Sequence, residues 1–430
     1  MRKVVYIIIC LFLLVGCSTR KSQKEQVADV SLKEQLKDEK IELVHEDTVI
    51  AEIPSTEVVE PKLSVEKVSA ISNKQINITY KGKDRTRIVK TTDIFKNIRY
   101  VPLETNDASL LSSDIYSIIY RNDNIYIHDL KNSGNIIHLY DSNGKYIRDI
   151  GRRGEGPEDY LGTLHMAVNN KGMVAIPDRM RSEIITYTKE GKFVSRIRLD
   201  SVSIYKNIFL NDSLLLVKSL YNRPGHLFHI VDVSNKKVVR TYQPIKNRMY
   251  MVIFPESMTD YHGKILVSGY QSNEILEVTL DGVKVRYVIN INDKMPPEGF
   301  WEQKASSYSE IADAQKRMGY IGHIPCFAEN DHSIFFYFRG SLERRETIGL
   351  ALIDKTSGKS QAFRQIELAE NVVVSPDFFY PCENGKIIIA VSPETILNSG
   401  NQEFISQFPN LKEDDNPILM FAESLRNPPA

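Results

Sequence analysis

Short runs of alternating hydrophobic and polar residues, separated by small polar turns, fill the chain from about residue 98 onwards. An example is IYIHDLKNSGNIIHLYDSNGKYIRDIG, residues 125–151. Its pattern predicts strands at Ile125–Asp129, Ile136–Tyr140 and Tyr146–Ile150, with a turn at Asp141–Gly144. Alternation with a period of two is typical of strands that bury one face, so this part of the chain is predicted to be all-β.

The same pattern recurs with a nearly constant period. The corresponding turn residues are Gly144, Gly191, Lys236, Gly282 and Gly358, at intervals of 47, 45, 46 and 76 residues. The last interval exceeds the others by about 30 residues, which matches an insertion at about 292–325. A repeat of this length with four short strands is typical of a β-propeller blade, which buries its faces only against neighbouring blades.

The two ends of the repeat region are predicted to close a ring. Five blades follow from the turns, and a sixth starts near Phe378 with the strand Lys386–Val391. Asn416–Leu425 is the predicted last strand, and Ile98–Leu103 is expected to pair in the same blade, because strands from both ends leave no open edge. We therefore predict a six-bladed β-propeller over residues 76–430. A seventh blade would need an undetected repeat.

The N-terminus has the order of a lipoprotein signal. Arg2 and Lys3 precede a 12-residue apolar stretch, Val4–Val15, which is signal-peptide length and too short to span a membrane. The sequence LVGC at 14–17 resembles a bacterial lipobox, which implies cleavage after residue 16 and acylation of Cys17. The alternative is a plain secretory signal in which this cysteine is accidental.

Residues 17–75 are predicted to be a flexible tether between the lipid and the propeller. Residues 18–75 are polar and contain no aromatic residue, so they cannot bury enough apolar surface to fold alone. Asp47-Thr48-Val49 resembles the O-glycosylation acceptor of Bacteroidetes, which makes Thr48 a weak candidate for modification. Asp212-Ser213-Leu214 matches the same three-residue pattern.

The composition adds two constraints. Lys and Arg total 55, as do Asp and Glu, so a neutral chain without a basic run gives no sign of nucleic-acid binding. After cleavage only Cys326 and Cys382 remain as thiols. Two cysteines in an exported protein can pair, but the repeats place these two at different depths of adjacent blades, which argues against a disulfide.

GRRGEGPEDY, residues 151–160, follows the outer strand of blade one and is predicted to cross over to blade two. Its glycines have the order GxxGxG, and no helix follows, so it does not fit a dinucleotide-binding turn. Arg152 and Arg153 are candidates for binding an anionic ligand. The alternative is a solvated turn with Glu155 and Asp159 as their partners.

This crossover, together with NIRYVPLETN and the closing DNPILMF, resembles the six-bladed β-propeller lipoproteins of Bacteroidetes and, more distantly, NHL-type repeats. The resemblance covers roughly residues 90–425. It implies the fold more than the function, because six-bladed propellers include binders, scaffolds, lactonases, lyases and sugar-processing enzymes.

Two regions are candidate sites. In the insertion, Ser307 and Glu310 fit a capping box that opens a helix at about 308–318. The adjacent Phe300 and Trp301 suit sugar stacking or a protein contact, or pin the insertion to the ring. At the channel mouth the candidates are Asp114, His165, Asn207, Glu256, His323 and Asp377.

Of the channel residues, Asp114, His165 and Asp377 are weak metal-ligand candidates, and the alternative is polar lining bonded to water. The chain contains no HExxH, CxxC pair or GxSxG motif. We expect no cofactor.

These patterns predict an envelope lipoprotein that binds or scaffolds an envelope protein or a glycan without catalysis. The competing hypothesis is a metal-dependent hydrolase or lyase that acts on a sugar or lactone at the channel mouth. Cys17 is followed by the basic stretch STRKSQKE, whereas surface lipoproteins of Bacteroidetes carry acidic residues there. We therefore expect an outer-membrane protein that faces the periplasm.

Overall fold

The computed structural model describes residues 75–112, 115–130, 135–163, 165–200, 202–219, 226–244, 257–268, 272–297, 299–300, 308–340, 348–375 and 379–425. These residues belong to one compact unit, Val68–Ala430. Strands are the dominant element in these ranges and the helices are few and short, so the prediction of an all-β fold is confirmed. The predicted signal peptide and tether lie outside the described residues.

The chain begins with a segment that passes along several sheets. Its elements are β1 (Gln75–Ile78), β2 (Ile88–Lys90), α1 (Thr91–Ile94) and β3 (Phe95–Pro102). Three sheets follow. Sheet 1 contains β4 (Ile115–Arg121), β5 (Asn124–Asp129), β6 (Ile136–Asp141) and β7 (Tyr146–Asp149). Sheet 2 contains β8 (Ala167–Val168), β9 (Val174–Asp178), β10 (Glu183–Tyr187) and β11 (Phe193–Arg198). Sheet 3 contains β12 (Ile204–Phe209), β13 (Leu214–Ser219), β14 (His226–Asp232) and β15 (Lys237–Pro244).

Three further sheets begin with the strands β16, β20 and β26. Sheet 4 contains β16 (Met258–Tyr261), β17 (Lys264–Ser268), β18 (Glu274–Thr279) and β19 (Gly282–Ile291), and helix α2 (Tyr308–Met318) follows it. Sheet 5 contains β20 (His323–Glu329), β21 (Ser333–Arg339), β22 (Ile348–Asp354) and β23 (Ser360–Phe363). Sheet 6 contains β26 (Tyr380–Pro381), β27 (Lys386–Val391), β28 (Ile418–Ser424) and β3. A seventh, three-stranded sheet has the order β2, β24 (Gln365–Ala369) and β25 (Val372–Val374). The remaining elements are α3 (Pro393–Leu397), α4 (Gln402–Ile405) and the short 3-10 helices Gly82–Arg85 and Glu383–Gly385.

The N-terminal segment covers the outer edges of later sheets. β1 pairs in parallel with β19, the outermost strand of sheet 4, and β2 pairs in parallel with β24. β3 pairs antiparallel with β28, as predicted for the strand that joins the two ends of the chain. The paired edges no longer present free backbone groups to another chain.

The first strands of the six sheets contact one another in a closed cycle. β4 contacts β8, β8 contacts β12, β12 contacts β16, β16 contacts β20, β20 contacts β26, and β26 contacts β4. Apolar side chains fill the space between neighbouring sheets. Between sheets 5 and 6, for example, the ring of Phe335 lies 4.9 Å from that of Phe379 and 5.3 Å from that of Phe95. The core is therefore divided into layers between sheets.

Antiparallel pairing gives the sheets two distinct ends. The chain passes from sheet 1 to sheet 2 through residues 150–166, at the end where the first strand of each sheet begins. We name this end the crossover face. The turns between first and second strands, and between third and fourth strands, lie at the opposite end, the hairpin face.

Two other findings bear on the sequence predictions. Cys326 and Cys382 are both buried and unpaired, so the pair forms no disulfide. Among the described helices, none is long and apolar enough to cross a membrane.

Candidate functional site

The structure describes half of the residues singled out from the sequence. Those outside the described residues are Cys17, Thr48, Asp114, Glu256, Trp301 and Asp377. Those described are Arg152, Arg153, His165, Asn207, Phe300 and His323.

The crossover at residues 151–160 is fastened by its own side chains. Arg152 Nε donates to Asp159 Oδ1 at 2.6 Å, and the Gly156 amide donates to Asp159 Oδ2 at 3.1 Å. The hydrogen bond from Arg152 holds the pKa of the Asp159 carboxyl below its usual value. Arg153 Nε donates to the Leu161 carbonyl at 3.1 Å. Both arginines thus bond within the turn, and Asp159 is the partner expected for Arg152 in the solvated-turn alternative.

Two arginines of sheet 2 donate hydrogen bonds to carbonyl oxygens of the same crossover. Arg181 donates to the carbonyls of Asp159 at 2.8 Å and Glu155 at 3.2 Å. Arg196 Nε donates to the Pro157 carbonyl at 2.6 Å. Because these arginines satisfy backbone acceptors that would otherwise need water, the crossover serves as a structural joint between sheets 1 and 2.

A narrow cavity of about 80 Å³ runs along the axis enclosed by the first strands. Residues of β4, β8, β12, β16 and β26, or immediately next to them, line it. Its polar lining includes Tyr116, Arg121, His165, Lys206, Asn207, Asp260 and Glu383. A polar cavity of this volume is large enough to hold water.

Near the crossover face, His165 and Asn207 meet across the cavity wall. His165 Nδ1 lies 3.3 Å from Asn207 Oδ1, and Asn207 Nδ2 donates to the Ala175 carbonyl at 3.1 Å. Burial lowers the pKa of His165 well below its usual value, and the charge of Lys206 lowers it further. The imidazole is therefore neutral near pH 7 and acts as a hydrogen-bonding group.

Near the hairpin face, charged groups face one another. Arg121 lies 2.5 Å from Glu383. Burial raises the pKa of Asp260, while Arg121 lowers it and Glu383 raises it further. Within the described ranges, no group of three or more His, Cys, Asp or Glu residues is placed to hold a metal ion.

The insertion packs against the same axis, at the crossover face. Its helix α2 occupies the residues predicted from the capping pattern and buries Ile311 and Gln315, which lie one turn apart. Gln315 Nε2 lies 3.5 Å from Nε2 of His323, the first residue of inner strand β20. The insertion and the channel mouth, which the sequence presents as two candidate sites, are therefore adjacent.

The aromatic pair expected in the insertion is seen in part. The ring of Phe300 packs edge-on against Tyr320, with centroids 5.2 Å apart. This contact fits the interpretation in which Phe300 pins the insertion in place.

A wider groove of about 480 Å³ lies at the hairpin face, outside the axis. The turn residues His262 and Asp331 form an exposed pair there, with His262 Nε2 2.5 Å from Asp331 Oδ1. Lys96 and Glu423 of sheet 6 complete one wall. The groove contains both acidic and basic side chains. The sequence did not indicate this groove, because its residues come from turns of separate sheets.

A family model described as "Domain of unknown function (DUF4934)" matches residues 73–423. The chain belongs to the DUF4934 family. A search of curated proteins finds no match. Among solved structures, a Bacteroides fragilis protein whose name describes it as exported is similar to this DUF4934 chain with a TM-score of 0.65 and 15% identity, over 82% of this chain and 99% of that chain. At this identity the likeness concerns the fold alone.

Two further structures are similar at lower scores. A DUF4221 family member from Bacteroides vulgatus has a TM-score of 0.48 and 10% identity, over 77% of this chain and 97% of that chain. Virginiamycin B lyase from Staphylococcus aureus has a TM-score of 0.40 and 13% identity, over 76% of this chain and 99% of that chain.

Sequence reasoning missed the basic residues of the DUF4934 channel mouth. Lys206 and Lys218 are opposite each other on β12 and β13, with only 5% and 1% of their surfaces exposed. Arg339 is opposite His323 on β21 and β20. The available signal was a basic residue inside an otherwise apolar strand, as in IYKNIF and LLLVKS, since lysine is rarely buried without a reason.

Proposed function

We propose that this DUF4934 protein is a lipid-anchored, six-bladed β-propeller that binds an envelope protein or a glycan without catalysing a reaction. The observation that carries the proposal is the position of the insertion. Helix α2 contacts His323 at the crossover-face mouth of the channel through Gln315. It buries Ile311 and leaves Asp313, Arg317 and Met318 exposed. A rigid ring with an added helix beside its mouth offers a broad binding face.

The six-bladed count is supported by the closed cycle of contacts among the six first strands. Sheet 6 combines strands from both ends of the described chain, with β3 beside β28. In a propeller, a blade that contains strands from both ends of the chain closes the ring. The similarity of the Bacteroides fragilis structure agrees with this fold.

The anchoring part of the proposal rests on the sequence LVGC at 14–17, with Cys17 as the acylated residue. The description of the Bacteroides fragilis protein as exported agrees with an envelope location. The basic residues after Cys17 favour the periplasmic side of the outer membrane. The polar stretch of residues 18–75 would then give the propeller reach from the membrane.

Binding is favoured over catalysis by the state of the channel. Its cavity is about 80 Å³, well below the roughly 300–1,000 Å³ of typical small-molecule sites. Its charged and polar groups are engaged with one another, as in the Arg121–Glu383 pair and the contact of His165 with Asn207.

A cross-linked pull-down from native envelope tests the proposal. The bait proteins are the full-length protein, a variant with Arg317→Ser and Met318→Ser on α2, and Leu280→Ser on the hairpin face as a matched control. Recovered material is analysed for protein and for carbohydrate. We expect a defined partner with the wild type and with Leu280→Ser, and at least a tenfold loss with the α2 variant. Equal recovery with all three baits, or no partner with any bait, would contradict the proposal.

A further inference from the structure

The groove at the hairpin face is formed by residues of three sheets. They are Tyr261 and His262 of the β16–β17 hairpin, Asn330, Asp331 and His332 of the β20–β21 turn, and Lys96 and Glu423 of sheet 6. The volume of the groove, about 480 Å³, lies within the roughly 300–1,000 Å³ of typical small-molecule sites, whereas that of the channel cavity does not. The groove therefore has room for a small ligand.

A buried ion network holds two of the groove residues in place. Lys355 Nζ donates to the Tyr261 hydroxyl at 2.9 Å and to the Asn330 carbonyl at 3.0 Å. It also donates to Glu329 Oε1 at 2.7 Å, and the Glu329 side chain is fully buried. Arg286 donates to both oxygens of the same carboxylate, at 2.8 Å and 2.7 Å. Because packed partners fix these side chains, the site is formed before a ligand arrives.

The Tyr261 hydroxyl has a proton that is not firmly bonded. The Lys355 ammonium group can only donate, so the Tyr261 oxygen accepts from it and keeps its own proton for another acceptor. That acceptor is Asp331 Oδ1 at 3.5 Å, which is longer than the roughly 2.5–3.0 Å of a good O–H···O hydrogen bond. A ligand hydroxyl between the two groups would accept from Tyr261 and donate to Asp331.

Asp331 offers acceptor capacity to a ligand. His262 Nε2 lies 2.5 Å from Asp331 Oδ1, and the two side chains are 56% and 63% exposed. The hydrogen bond from His262 lowers the pKa of the Asp331 carboxyl, so this group is ionised near pH 7 and acts only as an acceptor. A carboxylate has about four lone-pair sites, and the bond to His262 leaves others for ligand hydroxyls.

The opposite wall has a similar gap between a donor and an acceptor. Lys96 Nζ lies 4.0 Å from Glu423 Oε2, which is too long for a direct hydrogen bond. Asn97 Nδ2 donates to the same oxygen at 3.0 Å, so the Glu423 carboxylate is held in position. A hydroxyl group between Lys96 and Glu423 would bond to both.

The charges of the groove are balanced. Asp331 is paired with His262, and Glu423 lies near Lys96. A ligand of either charge would therefore approach a group of its own sign, whereas a neutral ligand would meet no such repulsion. Several hydroxyl groups that both donate and accept would use the donors and acceptors of the two walls together.

We propose that the hairpin-face groove binds a small neutral saccharide, whose hydroxyl groups donate to Asp331 and Glu423 and accept from Tyr261 and Lys96. The groove lies at the opposite end of the sheets from the surface of α2. The inference therefore goes beyond the partner binding proposed above and does not depend on it.

Calorimetric titration of the full-length protein tests the proposal. The protein is solubilised in a detergent without a sugar headgroup, because an alkyl glycoside would compete for the site. The probes are methyl glucoside, methyl galactoside and methyl mannoside, with the three corresponding uronates as charged matches. We expect saturable 1:1 binding of at least one neutral glycoside and at least tenfold weaker binding of its uronate. Binding of no neutral glycoside, or equal binding of the uronate, would overturn the proposal.

Two aspartate variants locate the site. Asp331→Ala removes an exposed carboxylate of the groove, and we expect at least tenfold weaker binding of the glycoside. Asp281→Ala is the matched control, because Asp281 is also an exposed aspartate of a hairpin-face turn but does not line the groove. We expect it to bind as tightly as the wild type. Unchanged affinity in Asp331→Ala would show that the saccharide binds elsewhere and would overturn the assignment.

Melting temperatures cover the case in which Asp331→Ala does not fold. A ligand that binds only the native state raises the melting temperature. We expect a rise with the bound glycoside in the wild type and in Asp281→Ala, and no comparable rise with its uronate. Equal rises with the glycoside and the uronate would overturn the proposal.

Discussion

At the residue scale, buried histidines determine how the protein responds to acid. Burial lowers the pKa of His128 to about 4 and that of His323 to about 3. In the unfolded chain both would titrate near the usual value of about 6.5. Between pH 6.5 and about 4 the unfolded state therefore binds more protons, and stability falls as the pH falls.

His138 has the opposite effect on the pH dependence of stability. Its ring lies 2.7 Å from Asp149, and hydrogen bonds to Asp129 and Asp149 outweigh burial, so its pKa is raised. A raised pKa stabilises the native state below the unfolded value, and that contribution is lost as the pH rises through the folded value. His138 therefore stabilises the protein in acid, whereas His128 and His323 destabilise it. Because the two lowered pKa values outweigh the one raised value, the net effect is a loss of stability in acid.

We predict that the free energy of unfolding falls by about 2 kcal/mol or more between pH 7 and pH 5, at up to about 1.4 kcal/mol per pH unit for each neutral buried histidine. Denaturant titrations at pH 7, 6 and 5 measure this. His128→Leu should reduce the slope, whereas Leu280→Ser, which changes an exposed residue without a titratable group, should leave it unchanged. Constant or rising stability towards pH 5 would show that these histidines are not buried as described.

The sequence predicted some channel residues but not their setting. His165, Asn207 and His323 were identified because they lie near the starts of predicted inner strands, and the structure places them beside the axis. Lys206 was not identified, because a charged residue in an apolar strand could equally face solvent. The structure shows that Lys206 is buried and lines the cavity, and its register places it opposite Lys218. That register depends on pairing across the sheet.

At the element scale, the crossover of residues 151–160 shows how glycines permit a close turn. A Cβ atom on Gly154 would lie 2.3 Å from Asp159 Oδ2. That carboxyl is held by Arg152 and the Gly156 amide, so it cannot move without losing two hydrogen bonds. The glycines of GxxGxG therefore leave room for the Asp159 carboxyl. The sequence indicated only that these residues form a turn.

We predict that Gly154→Ala destabilises the protein by about 1–3 kcal/mol through overpacking. Gly162→Ala is the matched control, since among the described residues its Cβ would meet Met180 at an ordinary 3.6 Å. The measurement is the midpoint of denaturant unfolding for the two variants. If both variants unfold at the same midpoint, the packing around Asp159 is not what stabilises the crossover.

The strands of the N-terminal segment illustrate what repeats cannot predict. The period of about 46 residues located the main sheets, and β3 was found because it was needed to close the ring. β1 and β2 were not predicted, because they have no counterpart in the repeats. β1 adds a fifth strand to sheet 4 beside β19, and β2 pairs with β24 in a separate three-stranded sheet. Tyr80, between them, is fully buried and donates to the Ile348 carbonyl at 2.5 Å, which fixes the segment to sheet 5.

At the scale of the whole molecule, sheets built from repeats meet one element that is not repeated, the insertion that contains α2. The sheets could be predicted from periodicity because each repeat makes the same contacts with its neighbours. The position of α2 could not, because an insertion has no counterpart in the other repeats. Its contact with His323 places the exposed face of the helix at the channel mouth, where binding is proposed.

Site-specific photo-cross-linking in the native envelope tests this central claim most directly. A diazirine side chain is placed at Met318, which is 52% exposed on α2, and in a second protein at Leu280, which is 40% exposed on the hairpin face. We predict a discrete adduct with a protein or glycan from Met318 and none from Leu280. No adduct from Met318, or the same adduct from both positions, would contradict a binding site at the crossover-face mouth.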